Sequence, residues 1–213
     1  MINDEVIDKF YNGLEYIKLG DLNPKKSCFI VVDMINAFCR QGALASTECA
    51  QVVPNLVTVL SKAKQLGFKN FLFIQDRHDD ESLEFEAFPP HALAGSDEEN
   101  IVDELTQLKL GEQVFYKNSF SIAYNADFNK FINEHKEIDT FVIAGCCTDI
   151  CIFSTALHLS CLSNEQGKKR KIIIPKSLVA TYSSYGHDAR VYDYIFLKQS
   201  ADIFNAKIYL DMV

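Results

Sequence analysis

The sequence contains no tryptophan, fewer basic than acidic residues and no long unbroken apolar run. Its 21 Lys and Arg against 29 Asp and Glu give a formal net charge of -8. Nucleic acids and anionic membranes attract basic surfaces, so this charge argues against both as partners. No apolar stretch is long enough to span a bilayer, and the N-terminus has neither the basic segment nor the apolar core of a secretion signal. We therefore expect a soluble, cytoplasmic protein.

Internal repeats, low-complexity tracts and a disulfide framework are missing too. The length of 213 residues suits one α/β domain with a sizeable core. Seven cysteines are an odd number, and disulfides are not expected in a reducing compartment. Three of the cysteines lie in AGCCTDIC (144–151). A metal site, thiolate chemistry or simple packing can each explain why three cysteines lie so close together in the sequence.

From residue 28 onward, short apolar runs alternate with helical patterns. The runs are rich in β-branched and aromatic residues, as is typical of strands buried on both faces. This alternation predicts an α/β fold with a mostly parallel six-stranded sheet and helices on both faces. The predicted strands are residues 28–33, 71–76, 114–117, 140–145, 171–175 and 206–210. The predicted helices are 52–67, 127–135, a segment ending near 162, and 188–204.

Residues 1–26 are predicted to form a separate N-terminal element, ahead of a domain at 27–213. VIDKFYNGLEYI (6–17) spaces its apolar residues as an amphipathic helix does, and Gly, Asn and Pro follow in LGDLNPKK (19–26). We expect a helical arm that packs on the domain or on another subunit of a homo-oligomer.

Four consecutive predicted strands lead into polar or reactive residues. Asp33, Asp76 and Lys117 end the first three, and the fourth runs into CCTDIC (146–151). In open α/β sheets, ligands bind beyond the carboxyl ends of the strands. One Asp after a strand is usually a turn residue, but four such strand ends together indicate a functional site.

Cys151 is the candidate nucleophile. Thr148 and Asp149 occupy the positions of N-cap residues before an apolar helical run, which would place Cys151 in the first helical turn. Backbone N–H groups and the helix dipole favour a thiolate there, and Lys117 would lower the pKa of the thiol further. Asp33 could accept the thiol proton. These three groups suffice for nucleophilic attack on an amide, with backbone N–H groups of the turn holding the oxyanion.

Packing is the preferred interpretation of most other cysteines, since free cysteine is often buried. It applies to Cys28, Cys49, Cys146 and Cys161, whereas Cys39 is left open. A redox role for Cys147 and Cys151 is less favoured, because three residues separate them instead of the two of a CxxC motif. A zinc–thiolate site would need a second group of Cys or His nearby in the fold.

The stretch QDRHDDESLEFEAFPPH (75–91) has the features of a metal site. Asp76 and His78 lie two residues apart after a strand, so both side chains can face one point. His91 returns after a Phe-Pro-Pro turn, and a carboxylate of the intervening loop would complete the site. Mixed nitrogen and oxygen ligands suit zinc, iron or manganese better than calcium.

These motifs resemble those of the isochorismatase-like cysteine hydrolases, and of the nicotinamidases among them. The resemblance implies the Rossmann-like isochorismatase-like hydrolase fold and a triad of Asp33, Lys117 and Cys151. GHDARVY (186–192) matches the C-terminal helix of the family more weakly. The motifs that carry the resemblance are VVDMINAF (31–38), QDRH (75–78), FPPHALAGS (88–96), KNSFSIAYNADF (117–128) and GCCTDICIFSTALHL (145–159).

The resemblance also implies several details of the site. It implies a cis peptide between Cys146 and Cys147, and an oxyanion hole formed by the backbone N–H groups of Cys147 and Cys151. Aromatic side chains that would hold a flat substrate ring are Phe38, Phe88 and Phe120. Many nicotinamidases bind their metal through one Asp and three His. This loop has no third His, and relatives with a Glu at the corresponding place indicate Glu84. The implied metal ligands are thus Asp76, His78, Glu84 and His91, with Asp79, Asp80, Glu81 and Glu86 as less favoured carboxylates.

The interpretation favoured by the sequence is a metal-dependent cysteine amidohydrolase with a small-molecule substrate. Nicotinamidase activity, through a thioester on Cys151 and with one divalent ion, zinc ahead of iron or manganese, is the leading hypothesis. Alternatives are a hydrolase of another amide, carbamoyl or ureido compound, an isochorismatase-type ether hydrolase and a non-enzymatic binding protein. A nucleotide-dependent oxidoreductase is disfavoured, since no GxGxxG follows the first strand. His135, His158 and His187 are interpreted as structural or surface residues.

Overall fold

Strands and helices alternate along the chain in a computed structural model that describes residues 3–213. The strands are β1 (Tyr16–Ile17), β2 (Ser27–Val32), β3 (Asn70–Asp76), β4 (Gln113–Lys117), β5 (Thr140–Cys146), β6 (Lys171–Pro175), β7 (Val179–Ala180), β8 (Lys207–Tyr209) and β9 (Asp211–Met212). The helices are α1 (Asp4–Asn12), α2 (Asn36–Cys39), α3 (Thr47–Ala50), α4 (Val53–Gln65), α5 (Asp103–Thr106), α6 (Ala126–Glu134), α7 (Phe153–Glu165) and α8 (Ala189–Phe204).

A parallel sheet of seven strands forms the centre of the fold. Its order is β4-β3-β2-β5-β6-β8, and β7 pairs with β5 beside that path. The predicted α/β class and mostly parallel sheet are confirmed, but the sheet has one strand more than expected. β6 pairs with β5 only over residues 140–142. The two residues of β7 pair with Gly145 and Cys146 at the other end of β5.

Helices cover both faces of the sheet, as predicted. Alternate residues of β2 enter different cores: Phe29 and Val31 pack with α4 on one face, while Ile30 and Val32 pack with α6 and α7 on the other. Because every residue of β2 is buried, the strand reads as an unbroken apolar run. Within residues 3–213, no helix combines the length and apolar character needed to cross a membrane.

The N-terminal segment packs on the rest of the chain. Asn3 caps α1 by accepting a hydrogen bond from the N–H of Val6, and Phe10 packs edge-on against Tyr194 of α8. The predicted continuation of this helix to residue 17 is wrong. The helix ends at Asn12, before Gly13, and β1 instead pairs in parallel with β9. Met1 and Ile2 lie outside the described residues, and the boundary at residue 26 stays a prediction.

The sheet brings the predicted strand ends to one edge. β2 lies between β3 and β5, and Asp76 at the end of β3 pairs with Lys117 at the end of β4. Gly145 has φ 118°, and a Cβ there would lie 2.0 Å from the carbonyl oxygen of Val32. Only glycine therefore allows β5 to approach β2 so closely just before the cysteine-containing turn.

Candidate active site

Asp33, Lys117 and Cys151 meet at the carboxyl edge of the sheet. Nζ of Lys117 lies 2.9 Å from Oδ2 of Asp33 and 3.6 Å from Sγ of Cys151. Lys117 also forms an ion pair with Asp76. All four side chains are buried, so the two carboxylates face the ammonium in a low-dielectric environment. The structure thus brings the three predicted catalytic residues together.

The backbone conformation of Asp33 helps to aim its carboxylate. Asp33 adopts φ 54°, in the left-handed region that Asp tolerates better than most residues. Its backbone N–H donates to the carbonyl oxygen of Ile74 at 2.8 Å. Oδ1 accepts a hydrogen bond from the N–H of Asp76 at 2.9 Å, so one carboxylate oxygen is fixed by the backbone while the other faces Lys117.

Burial sets the protonation of these groups. It raises the pKa of Asp33 to about 6, helped by the charge of Asp76 and opposed by Lys117. Burial also raises the pKa of the Cys151 thiol well above its usual value, and the Lys117 charge only partly opposes this. Burial lowers the pKa of Lys117, but its two carboxylate neighbours outweigh that effect and raise it. Lys117 thus lowers the thiol pKa as expected, but burial outweighs it, so the net shift is upward instead of the expected downward one.

The turn that carries Cys151 differs from the predicted helical N-terminus. Thr148–Ile152 forms a π-helical turn, and α7 begins only at Phe153. The peptide between Cys146 and Cys147 is cis, as the resemblance implied. Neither Thr148 nor Asp149 caps the turn. The side chain of Asp149 instead contacts His187, whose Nε2 lies 2.9 Å from Oδ2 of Asp149.

His187, predicted to be a structural or surface residue, contacts the turn that carries Cys151 through Asp149. Its Nδ1 lies 2.8 Å from the carbonyl oxygen of Tyr182, and its ring stacks between Tyr182 and Tyr192 at centroid distances of 4.1 and 3.7 Å. The two tyrosines and the carbonyl hold the imidazole against Asp149. Its place in GHDARVY was the only signal in the sequence that pointed to it.

The four implied metal ligands converge beside the triad. Asp76, His78, Glu84 and His91 each offer one ligand atom, and these atoms lie within 4.8 Å of one another. Nε2 of His78 is 3.7 Å from Oδ1 of Asp76, and Nε2 of His91 is 3.8 Å from Oδ2 of the same carboxylate. Glu84 Oε1 lies 3.9 Å from both ring nitrogens. The less favoured carboxylates Asp79, Asp80, Glu81 and Glu86 are outside this group.

Hydrogen bonds on the far side of each imidazole fit a metal-binding role. Nδ1 of His78 lies 2.8 Å from Oδ1 of Asn118, and Nδ1 of His91 lies 2.9 Å from the carbonyl oxygen of Pro89. A proton on each Nδ1 leaves Nε2 with a lone pair directed at the carboxylates, as in metal-ligating histidines. Nε2 of His78 is buried and has no hydrogen-bond partner among residues 3–213. Two imidazoles and two carboxylates suit zinc, iron or manganese, so the residues fit a divalent cation.

Charges within this group shift the pKa values of Asp76 and His78. Burial lowers the pKa of His78, but the hydrogen bond and charge of Asp76 outweigh it and raise the value overall. Burial raises the pKa of Asp76, but Lys117 and the two histidines outweigh it and lower the value. The carboxylate thus stays ionised and attracts positive charge to the position between the imidazoles.

A cavity of about 460 Å³ opens onto both the triad and the metal-ligand group. This volume suits a small organic ligand. Phe38, Phe88 and Phe120 all line the cavity, as does Tyr182, which the sequence analysis did not select. Phe38 is buried and its ring centroid lies 5.6 Å from that of His91, whereas Phe120 is 51% exposed at the entrance. Cys147 and Cys151 also line the cavity.

Comparisons with known proteins agree with this architecture. The family model described as Isochorismatase domain matches residues 27–204. The "Uncharacterized isochorismatase family protein PncA" of Bacillus subtilis is 26% identical over 172 residues, 76% of this chain and 90% of that protein. "Nicotinamidase 1" of Arabidopsis thaliana is 28% identical over 138 residues, 58% of this chain and 56% of that protein. The crystal structure of nicotinamidase PncA from Bacillus subtilis superposes with a TM-score of 0.69 at 24% identity, covering 86% of this chain and 99% of that one.

Proposed function

Since the chain belongs to the isochorismatase family, we propose that it is a metal-dependent cysteine amidohydrolase that converts nicotinamide and water to nicotinate and ammonia. The observation that carries this proposal is the meeting of Asp33, Lys117 and Cys151 in one cavity with the metal-ligand group. Similarity to named nicotinamidases supports the same activity.

The first half of the reaction is acyl transfer to sulfur. Asp33 takes the proton of the Cys151 thiol, and the thiolate attacks the carboxamide carbon. The Lys117 ammonium, 3.6 Å from the sulfur, stabilises the charge that develops there. Backbone N–H groups of Cys147 and Cys151 are assigned to the oxyanion. Asp33 returns the proton to the departing nitrogen, so that the C–N bond breaks, ammonia leaves and a thioester remains.

The second half releases the acid. Asp33, now ionised again, accepts a proton from water as its oxygen attacks the thioester carbon. The C–S bond breaks, and the sulfur recovers a proton from Asp33. A base with a pKa near 6 suits both directions of transfer, since its pKa lies near the operating pH. One aspartate thus serves both half-reactions.

The rest of the cavity fits a flat aromatic amide. Phe38, Phe88 and Phe120 supply apolar walls for a pyridine ring. Asp76, His78, Glu84 and His91 are assigned as the residues that hold the metal, with zinc preferred over iron or manganese. When bound, a divalent metal supplies Lewis acidity and an anchor for a substrate lone pair.

The test measures ammonia release from nicotinamide by the purified protein, with an N-carbamoyl amino acid and a ureido acid as competing substrates. We expect turnover of nicotinamide that Cys151→Ala abolishes while the far-ultraviolet circular dichroism stays unchanged. Cys161→Ala is the matched control, because that thiol is exposed on α7, and it should retain full activity. Faster turnover of a carbamoyl or ureido compound than of nicotinamide would contradict the proposal that nicotinamide is the substrate. Activity in Cys151→Ala would reject the nucleophile.

A further inference from the structure

Four buried cysteines that the proposed reaction does not use as nucleophiles lie in one apolar core. Cys39, Cys49, Cys146 and Cys147, called the thiol cluster below, belong to one apolar core, whereas Cys151 belongs to the core on the other face of the sheet. Each of the four is buried. The cluster shares no residue with the metal-ligand group of Asp76, His78, Glu84 and His91.

The sulfur atoms of the thiol cluster converge. Sγ atoms of Cys49, Cys146 and Cys147 all lie within 4.8 Å of one another. Cys39, at the end of α2, is a fourth thiol near Cys146 in the same core. In a tetrahedral zinc–thiolate site, Zn–S bonds of about 2.3 Å place the sulfurs roughly 3.8 Å apart. The three sulfurs of Cys49, Cys146 and Cys147 thus lie close to the spacing that such a metal site requires.

The three thiols differ in acidity. The neighbouring thiols of Cys146 and Cys147 lower the pKa of Cys49 and outweigh its burial, whereas the pKa values of Cys146 and Cys147 themselves are raised. One sulfur of the cluster is thus disposed to become a thiolate, the form in which cysteine binds metals. A buried thiolate without a positive partner is costly, and a bound metal ion would neutralise it.

The thiol cluster also lies beside the active-site cavity. Cys147 lines the active-site cavity, together with Ser46, whose hydroxyl caps α3 by accepting from the N–H of Cys49 at 3.1 Å. The thiol cluster therefore borders the active-site cavity at Cys147. We propose that the thiol cluster is a second metal site, which binds a thiophilic divalent cation, zinc under cellular conditions, through Cys49, Cys146 and Cys147 with Cys39 as fourth ligand.

Occupancy of this site would affect the active-site wall. Ligation would join α2 and α3 to the turn after β5, and residues 43–46 between those helices line the cavity. The thiol of Cys146 donates to the carbonyl oxygen of Asp33 at 3.3 Å. Metal binding removes that thiol proton, so it would change a contact at the backbone of the proposed base.

The experiment uses Co²⁺ and Zn²⁺ as probes in Cys151→Ala protein, which removes the thiol of the nucleophile. We expect about two zinc ions per chain after loading and desalting, and a thiolate-to-cobalt charge-transfer band in the ultraviolet. Adding Cys49→Ser should remove one ion and most of the band. Adding Cys161→Ser, the matched control, should change neither. An unchanged band in the Cys49→Ser protein would overturn the proposal.

A second variant keeps the test decisive if Cys49→Ser fails to fold. Adding His91→Ala to the Cys151→Ala protein disables the metal-ligand group but leaves all four thiols in place. This protein should retain one zinc ion and the full charge-transfer band. Loss of the band there would also overturn the second site. Neither readout depends on turnover, so the result stands apart from the fate of the proposed nicotinamidase activity.

Discussion

Nε2 of His187 and Oδ2 of Asp149 lie 2.9 Å apart, which ties the segment after β7 to the turn that carries Cys151. The imidazole has little freedom, because two tyrosine rings and a carbonyl oxygen surround it. Asp149 is two residues from the nucleophile. We therefore infer that His187 is a positioning residue for the turn.

His187→Ala is expected to lower kcat about tenfold with little change in KM, because a hydrogen bond to a charged group contributes about 1.5–3 kcal/mol. His187→Gln keeps a donor near Asp149 and should recover part of the loss. Steady-state kinetics of both variants, together with the alkylation rate of Cys151, provide the measurement. Equal kcat in His187→Ala and the wild type would contradict the positioning role.

Lys117→Met should destabilise the protein strongly. The substitution leaves Asp33 and Asp76 buried without their shared cation, and breaking a buried ion pair costs about 3–5 kcal/mol. The matched control is Lys198→Met, which removes an exposed pair with Asp202 and should cost less than about 1 kcal/mol. Urea denaturation of the metal-free proteins measures the difference. Similar midpoints for the two variants would contradict the buried network.

Asp33 should make stability depend on pH in a particular direction. Its folded pKa of about 6 exceeds the ordinary 3.8, so the folded state holds the proton more tightly. The stabilisation from protonated Asp33 is fully present well below pH 3.8, and it is lost as pH rises through 6. Wild-type stability should therefore fall relative to Asp33→Asn by about 2.4 kcal/mol between pH 4 and 7.

Urea denaturation of metal-free wild type and Asp33→Asn at a series of pH values gives this difference directly. The comparison between the two proteins cancels most titrations they share. A difference that stays constant from pH 4 to 7 would show that the carboxyl of Asp33 is not perturbed. The same variant should lose at least a thousandfold in turnover, since it has no base.

Zinc binding at the metal-ligand group should stabilise the protein. A ligand that binds only the folded state contributes about 4 kcal/mol at a thousandfold excess over its Kd, so Tm should rise with added Zn²⁺. Glu84→Ala removes a partly buried ligand and should reduce this rise, whereas the exposed neighbour Glu86→Ala should preserve it. Equal rises in Tm for Glu84→Ala and Glu86→Ala would argue against Glu84 as a metal ligand. Cys49→Ser in all three proteins prevents any contribution from the thiol cluster.

Much of the sheet and of the triad could be predicted because the determining signals are local. Each central strand is an apolar run that ends in a polar residue, and parallel strands must deliver those ends to one edge. Asp33, Asp76 and Lys117 therefore converge without any knowledge of helix packing. The two-residue strand β7 was missed because its pairing depends on where β6 leaves β5, and no sequence period encodes that.

Residues that act through distant contacts could not be found in the same way. Cys49 is 97 residues from Cys146, and only the packing of α3 beside the cysteine-containing turn brings their sulfurs together. Tyr182 lines the cavity and His187 stacks on Tyr182, and no sequence period encodes either contact. The predicted direction of the Cys151 pKa shift was also wrong, because burial outweighs the nearby Lys117 ammonium.

Gly145 controls the separation of two groups in the proposed reaction. Since a methyl group at residue 145 would collide with the carbonyl of Val32, any other amino acid would push the two neighbouring backbones apart. The Cys151 sulfur follows β5 in the chain, and the Asp33 carboxylate follows β2. The missing side chain of Gly145 therefore sets the distance over which a proton moves between the Cys151 sulfur and the Asp33 carboxylate, although Gly145 takes no part in the reaction.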